Sequence, residues 1–248
     1  FTVDGALAKA STLNSGVLKS DGGYIVMTAK QAGDVMSTVV NNTGTIEAKT
    51  LRQNEKGEIL LDGGASGIVE INGTLDASGM EAGQSAGSIK AIGAETHVKD
   101  GAALLARGTV DGGLIETSGD YLEIGDTVNI DAAGETGKAG EWLLDPLDVV
   151  ISASKPSGST NAASDNSYNE VQTEDANKTS WVNSNTVNNL LSRGTSVKIQ
   201  SVDKNKAATI TVDSEIKKSG AKDADTTTLT LEAQSNVTIS NFAGAEHP

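Results

Sequence analysis

A right-handed parallel β-helix is the fold class this sequence predicts, and three observations predict it. The first is the apolar inventory. Of 248 residues, 37% are hydrophobic but only 3% are aromatic, with 28 Gly against 3 Pro. Such a chain can bury aliphatic side chains in a narrow core, but not around large aromatic anchors. The second is recurrence. Glycine-started apolar triplets follow Gly23, Gly44, Gly67, Gly87 and Gly113, at steps of 21, 23, 20 and 26 residues. Further short strands sit between them, such as Glu58-Ile59-Leu60-Leu61, Gly73-Thr74-Leu75-Asp76-Ala77 and Thr127-Val128-Asn129-Ile130. The third is how the strands end. Most stop near Gly, Asn or Asp, which tolerate a left-handed corner, and hairpin signals between long strands are scarce.

Taken in order, residues 1–152 read as β-helix coils of about three short strands each. One coil cannot bury its own aliphatics, whereas stacked coils bury them in ladders and pair every strand. At about 22 residues per coil the chain makes at most about 11 coils, a rod of roughly 50 Å. Residues 153–194 read as a polar excursion. Its stretch 153–185 is rich in Ser, Asn, Thr and Asp, with almost no aliphatics. Val187, Leu190 and Leu191, at i, i+3 and i+4, then predict a short helix over Thr186–Ser192 with Gly194 as its stop. Residues 195–240 read as further coils, with strands at Ser196–Ser201, Thr209–Val212, Thr228–Ala233 and Asn236–Ser240. Residues 241–248 read as a frayed end. An antiparallel sandwich is the alternative architecture.

Charge and composition exclude several classes of function. Nineteen basic and 33 acidic residues give a net charge of −14, which argues against binding nucleic acid, where clustered cations are needed. Cysteine is absent, so there is no disulfide, thiolate metal site or Cys nucleophile. The same absence suits a protein exported unfolded. No apolar run approaches the length of a transmembrane segment. The chain begins at Phe1 with neither Met nor a signal peptide, which reads as a fragment or processed product.

Two segments are more specific. Gly112–Leu122 reads Gly-Gly-Leu-Ile-Glu-Thr-Ser-Gly-Asp-Tyr-Leu. Glu141-Trp142-Leu143-Leu144-Asp145-Pro146 follows, and then Val149-Val150-Ile151. In this order they resemble the large exoproteins of bacterial two-partner secretion, in the high-molecular-weight adhesin branch of the filamentous-haemagglutinin family. Asn189-Leu190-Leu191 after a polar stretch is similar to that branch as well. The family's Asn-Pro-Asn motifs are missing, so the chain resembles the region just downstream of most of the secretion domain. The resemblance implies a secreted or surface-exposed adhesin segment of a Gram-negative bacterium, acting as a rigid stalk and attachment surface. It implies two partners, a host-cell or surface receptor and an outer-membrane secretion partner. A scavenger of host haem carriers, the stick of a contact-dependent toxin and a β-helix polysaccharide lyase or hydrolase are the alternatives.

No catalytic, cofactor or metal site is expected. The two histidines are His97, pointing outward from a strand, and His247, in the frayed end. Acids such as Asp62, Asp76, Asp111, Glu116 and Asp131 are spread along the coils, several at corners where Asp caps turns. Glycosidic chemistry needs two acids converging across a cleft, and no acid pair lies near a basic or aromatic cluster. Neither the EF-hand loop nor the calcium-binding nonapeptide occurs. Asn41, Asn72, Asn177 and Asn236 are candidate glycosylation acceptors. Trp142, Leu143, Leu144, Asp145 and Pro146 read as a structural motif closing a run of coils. Adjacent Leu143 and Leu144 must point to opposite faces, so one enters the core and the other needs cover, with the segment after Ser152 or the Leu190–Leu191 helix the nearest apolar partner in sequence. Trp181, in the polar excursion, is the candidate exposed binding aromatic.

Overall fold

Strands of three to seven residues bury too little alone, and the chain stacks them. The computed structural model describes residues 2–6, 11–30, 39–156, 178–202, 207–219 and 227–240. They form a parallel β-solenoid of about six turns with one short helix. The first turn is β1 (Thr2–Ala6), β2 (Ser11–Asn14) and β3 (Val17–Lys19). The second is β4 (Tyr24–Lys30), β5 (Val39–Asn42) and β6 (Thr45–Glu47). The third is β7 (Glu58–Asp62), β8 (Ile68–Ile71) and β9 (Thr74–Asp76). The fourth is β10 (Ser88–Ile92), β11 (Glu95–Val98) and β12 (Ala103–Leu105). The fifth is β13 (Leu114–Ser118), β14 (Tyr121–Ile124) and β15 (Asn129–Asp131).

The sixth turn is built differently. It contains β16 (Gly140–Asp145), β17 (Asp148–Ser152), β18 (Ser180–Asn183) and the helix α1 (Ser184–Arg193). The helix stands where a third strand would be. Arg193 lies 3.8 Å from Asp131 of β15, and the Ala132 N–H donates to Thr195 Oγ1 at 3.0 Å. Two sheets then continue as β19 (Thr195–Ser201), β20 (Thr209–Val212), β21 (Leu229–Ala233) and β22 (Asn236–Ile239). The first sheet runs β1-β4-β7-β10-β13-β16-β19-β21. The second runs β2-β5-β8-β11-β14-β18-β17-β20-β22, and the third joins β3, β6, β9, β12 and β15.

Register puts like on like. Ile25, Ile59, Ile89, Ile115, Trp142 and Val197 form one buried column inside the first sheet. Met27, Leu61, Ala91, Thr117, Leu144 and Ile199 form the next. Each large aliphatic so buried contributes about 1.5–3 kcal/mol. Inside the third sheet Leu18, Ile46, Leu75, Leu104 and Ile130 are stacked in the same way. Buried polar groups are bonded across turns. Asn14 Nδ2 donates to Asn42 Oδ1 at 2.8 Å, and Thr96 Oγ1 to the Ser118 carbonyl at 2.8 Å.

The corner preceding the first sheet requires glycine. The N–H groups of Glu58, Ser88, Leu114 and Glu141 each bond the carbonyl of the glycine one turn earlier, at Gly23, Gly57, Gly87 and Gly113. A Cβ on Gly87 would lie 1.8 Å from the Gly57 carbonyl oxygen, and on Gly57 1.4 Å from that of Ala48. This column corrects the repeat read from the sequence. Gly23, Gly87 and Gly113 share one corner, whereas Gly44 precedes the third sheet and Gly67 the second. Tyr24 pairs with Glu58, Glu58 with Ser88, Ser88 with Leu114 and Leu114 with Glu141, so these turns take 34, 30, 26 and 27 residues. A turn is therefore longer than about 22 residues, and the solenoid has about six turns rather than up to about 11.

The segment assigned as a polar excursion is only partly one. Residues 157–177 lie outside the described residues. Residues 180–183 are a strand in the second sheet, and Val187, Leu190 and Leu191 of α1 join the main core. The helix runs two residues earlier and one later than its apolar spacing predicts. Asn183 caps its start, accepting from the Asn185 N–H at 3.0 Å, and Gly194 ends it at φ 98°. The expected frayed end, 241–248, lies outside the described residues.

Candidate functional site

Period-two alternation sends Glu95 and His97 of β11, and Tyr121 and Glu123 of β14, to the outer face of the second sheet. Register then stacks them: Glu95 lies over Tyr121, and His97 over Glu123. The His97 ring bonds Glu95 Oε2 through Nε2 at 3.0 Å, and its Nδ1 lies 3.6 Å from Glu123 Oε2. Lys99 reaches the same Glu123 oxygen at 2.7 Å. Lys178, two residues before β18, bonds Glu95 Oε1 at 2.7 Å and sits 5.3 Å above the Tyr121 ring. The imidazole meets that ring edge-on at 6.1 Å.

The electrostatics follow from this packing. The His97 hydrogen bond, reinforced by Lys178, holds the Glu95 carboxyl down at about 2 against the opposing effect of burial. Burial, with the charges of Glu123 and Glu95, pushes the Tyr121 phenol up to about 12. Glu95 thus accepts at both oxygens, and Tyr121 retains its phenolic proton. The arrangement suits a structural clamp that ties the entry of β18 to the fourth and fifth turns. Among the described residues no group of three or more His, Asp or Glu side chains is placed so that it could hold a metal ion.

A second cluster lies outside the first sheet. Burial, then the negative charge of Glu116, raises the Asp145 carboxyl to about 6. Glu116 itself is held by Lys90 at 3.1 Å and by the Ser118 hydroxyl at 3.1 Å. Lys198 pairs with Glu232 at 3.2 Å. A shallow groove follows the glycine corner at the opposite end of the same strands, lined by Lys56, Glu58, Gly87, Ser88, Gly113 and Leu114.

The residues singled out from the sequence fall as follows. Trp142 and Leu144 are fully buried, Leu143 faces outward between Glu116 and Lys198, and β16 ends at Asp145 before Pro146. The helix packs on β18 and β19 instead of covering Leu143. Trp181 corrects an expectation. It is only 9% exposed, and its indole N–H donates to Ser152 Oγ at 2.9 Å. It belongs to an inserted strand, so it is not the exposed aromatic its polar neighbours suggest. Asn41 is 4% exposed, which removes the access a glycosylation acceptor needs. Asn72 and Asn236 are exposed, and Asn177 and His247 lie outside the described residues. Corner acids behave as turn caps: Asp62, Asp76 and Asp131 accept from the N–H two residues on, at 2.8, 3.0 and 3.0 Å. Asp111 accepts from the Lys138 N–H one turn later at 2.9 Å.

Sequence reasoning placed His97 outward but missed its partners. Glu95 is its neighbour on the same strand, but Tyr121 and Glu123 reach it only through register, and Lys178 joins the cluster through Glu95 and Tyr121 from beside the late strand. The alternation signal was present, whereas the pairing partner was not. Among the described residues no helix is long and apolar enough to cross a membrane. No protein-family model matches the chain, and no curated protein matches it.

Proposed function

We propose that this chain is a segment of a large secreted or surface-exposed bacterial adhesin of the two-partner secretion type, serving as a rigid stalk and attachment surface. One observation carries the reading. The two segments that resemble that family pair directly, with Leu114–Ser118 alongside Glu141–Asp145 and Trp142 in the core column between Ile115 and Val197. The motif does not close the stack, as its sequence position suggests, but carries the core column through from the fifth turn to β19, and an unbroken column is what a stalk requires. Continuous parallel pairing along one axis supplies stiffness, because each turn is bonded to both neighbours. The host-cell receptor, the outer-membrane secretion partner and the Gram-negative cell surface belong to this proposal.

The test compares attachment with turnover. Bacteria displaying the parent protein should adhere to host cells, and deletion of the parent gene should abolish adherence. The isolated chain should release no sugar from a panel of polysaccharides. Release of reducing ends or unsaturated sugars, lost on Asp145→Asn, would overturn the reading in favour of a hydrolase or lyase. Unchanged adherence without the parent protein would overturn it as well.

A further inference from the structure

The second sheet contains a strand out of order. In the first sheet β13, β16 and β19 are direct neighbours, following the chain. In the second, β18 lies between β14 and β17, although β17 precedes it in sequence. The chain therefore goes past a gap, lays down β17, and returns to fill the gap with β18.

The gap is a fork. At its closed end β17's approach still touches the fifth turn, since the Leu147 N–H bonds the Asp120 carbonyl at 3.2 Å. Two residues further on, Val149 is paired with Ser180 instead of with β14. At that point the Leu122 N–H of β14 is satisfied by a side chain, the buried Ser180 hydroxyl at 2.9 Å. Pairing is lopsided too. Four residues of β18 are in register with β17, but only Trp181 is in register with β14, opposite Glu123.

The fork closes in register if β18 is taken out. Trp181 faces Glu123 on one side and Val150 on the other. Removing that strand sets Val150 opposite Glu123, Val149 opposite Leu122 and Ile151 opposite Ile124. Val149 and Ile151 already face the core, as do Leu122 and Ile124. A direct β14–β17 pair therefore stacks apolar on apolar with no change of face, which a slip of one residue would not allow.

We propose that β17 and β18 compete for one slot beside β14, and that the sixth turn closes in two steps. β17 pairs with β14 first, because it emerges first and the slot fits it. β18 then wedges in from the open end of the fork, moving β17 one strand spacing along the axis. Docking of Val187, Leu190 and Leu191 into the core drives the exchange, and Lys178 on Glu95 latches it. The solenoid beyond β17 takes its final register only when residues 178–193 are in place.

The chain has no cysteine, so engineered pairs report cleanly. E123C/V150C places thiols on strands that are neighbours in the first arrangement and separated by β18 in the second. K90C/E116C, on adjacent strands throughout, is the control. The whole 248-residue chain is refolded from denaturant and pulsed with oxidant at successive times. The expected result is that E123C/V150C links strongly in early pulses, once the control pair has become linkable, and loses that linkage in late pulses. Adding V182P, which removes a strand N–H and cannot sit in a central strand, should hold the linkage high at late times. Should E123C/V150C stay at its folded-state level at every time while the control links, the two-step closure is wrong. This holds whether or not the V182P chain folds. Linkage of E123C/V150C in the fully folded native chain as strongly as the control would overturn the inserted arrangement itself.

Discussion

Trp142 brings an indole N–H into an otherwise aliphatic column, and Thr117 of the neighbouring strand accepts it at 3.2 Å. Both groups are buried, so each would be costly without the other. Trp142→Ala should cost about 3–5 kcal/mol and Leu144→Ala about 2–5, whereas Leu143→Ala, on the outer face, should cost well under half as much. Denaturant unfolding reads all three. Two carboxyls give opposite pH signatures. Glu95 is held at about 2, below its ordinary 4.5, so the stability it adds is complete above pH 4.5 and is lost as pH falls toward 2. Asp145 is raised from 3.8 to about 6, so the folded state binds its proton more tightly and stability falls as pH rises through that window. Asp145→Asn should flatten the loss between pH 4 and 6 and raise the midpoint at pH 7, while Glu95→Gln should remove stability at pH 7 but little at pH 2. Urea titrations at stepped pH check both.

At the scale of elements, corners are as specific as strands. Gly87→Ala drives a Cβ into the Gly57 carbonyl, a backbone atom that paired strands cannot move. Gly83 has a positive φ of 83° but open space around it. Gly83→Ala should therefore cost only about 1 kcal/mol, the penalty of a left-handed alanine. Gly87→Ala should cost several-fold more, as measured by thermal unfolding. The helix has its own terminal devices. Asn183→Ala should cost about 1 kcal/mol by removing the cap, and also the bond from its Nδ2 to Asp126 Oδ1 at 2.9 Å.

For the whole isolated chain, stability should decay toward β21 and β22. Turns contact mainly their neighbours, and among the described residues nothing pairs beyond β21 and β22, so in the isolated chain that level lacks one interface. Val237 and Ile239 face the same way as buried Ile210 and Val212, yet they are 42% and 52% exposed. Hydrogen exchange should be fastest in β21 and β22 and slowest in β7, β10 and β13. Ile239→Ala should cost much less than Ile89→Ala. Uniform protection along the stack would contradict this picture. Scattering should report an elongated particle, and circular dichroism mostly strand.

Much of this was legible in the amino-acid sequence, for identifiable reasons. Strand existence, inward and outward faces, the helix and the burial of the Trp142 motif follow from local alternation, helical spacing and corner residues. Those signals are carried by residues next to each other in the chain. The length of a turn was not legible, because three corners all use glycine and a linear reading cannot tell Gly44's corner from Gly23's. The environment of Trp181 was hidden for a similar reason. Its polar sequence neighbours suggest exposure, but β14 and β17 supply its true surroundings. The His97 cluster likewise draws on residues from 95 to 178. Sequence by itself determined that this chain stacks short parallel strands around an aliphatic core. Only the tertiary structure decided which strands are neighbours, because register is a property of pairs of strands and the pair around β18 departs from chain order.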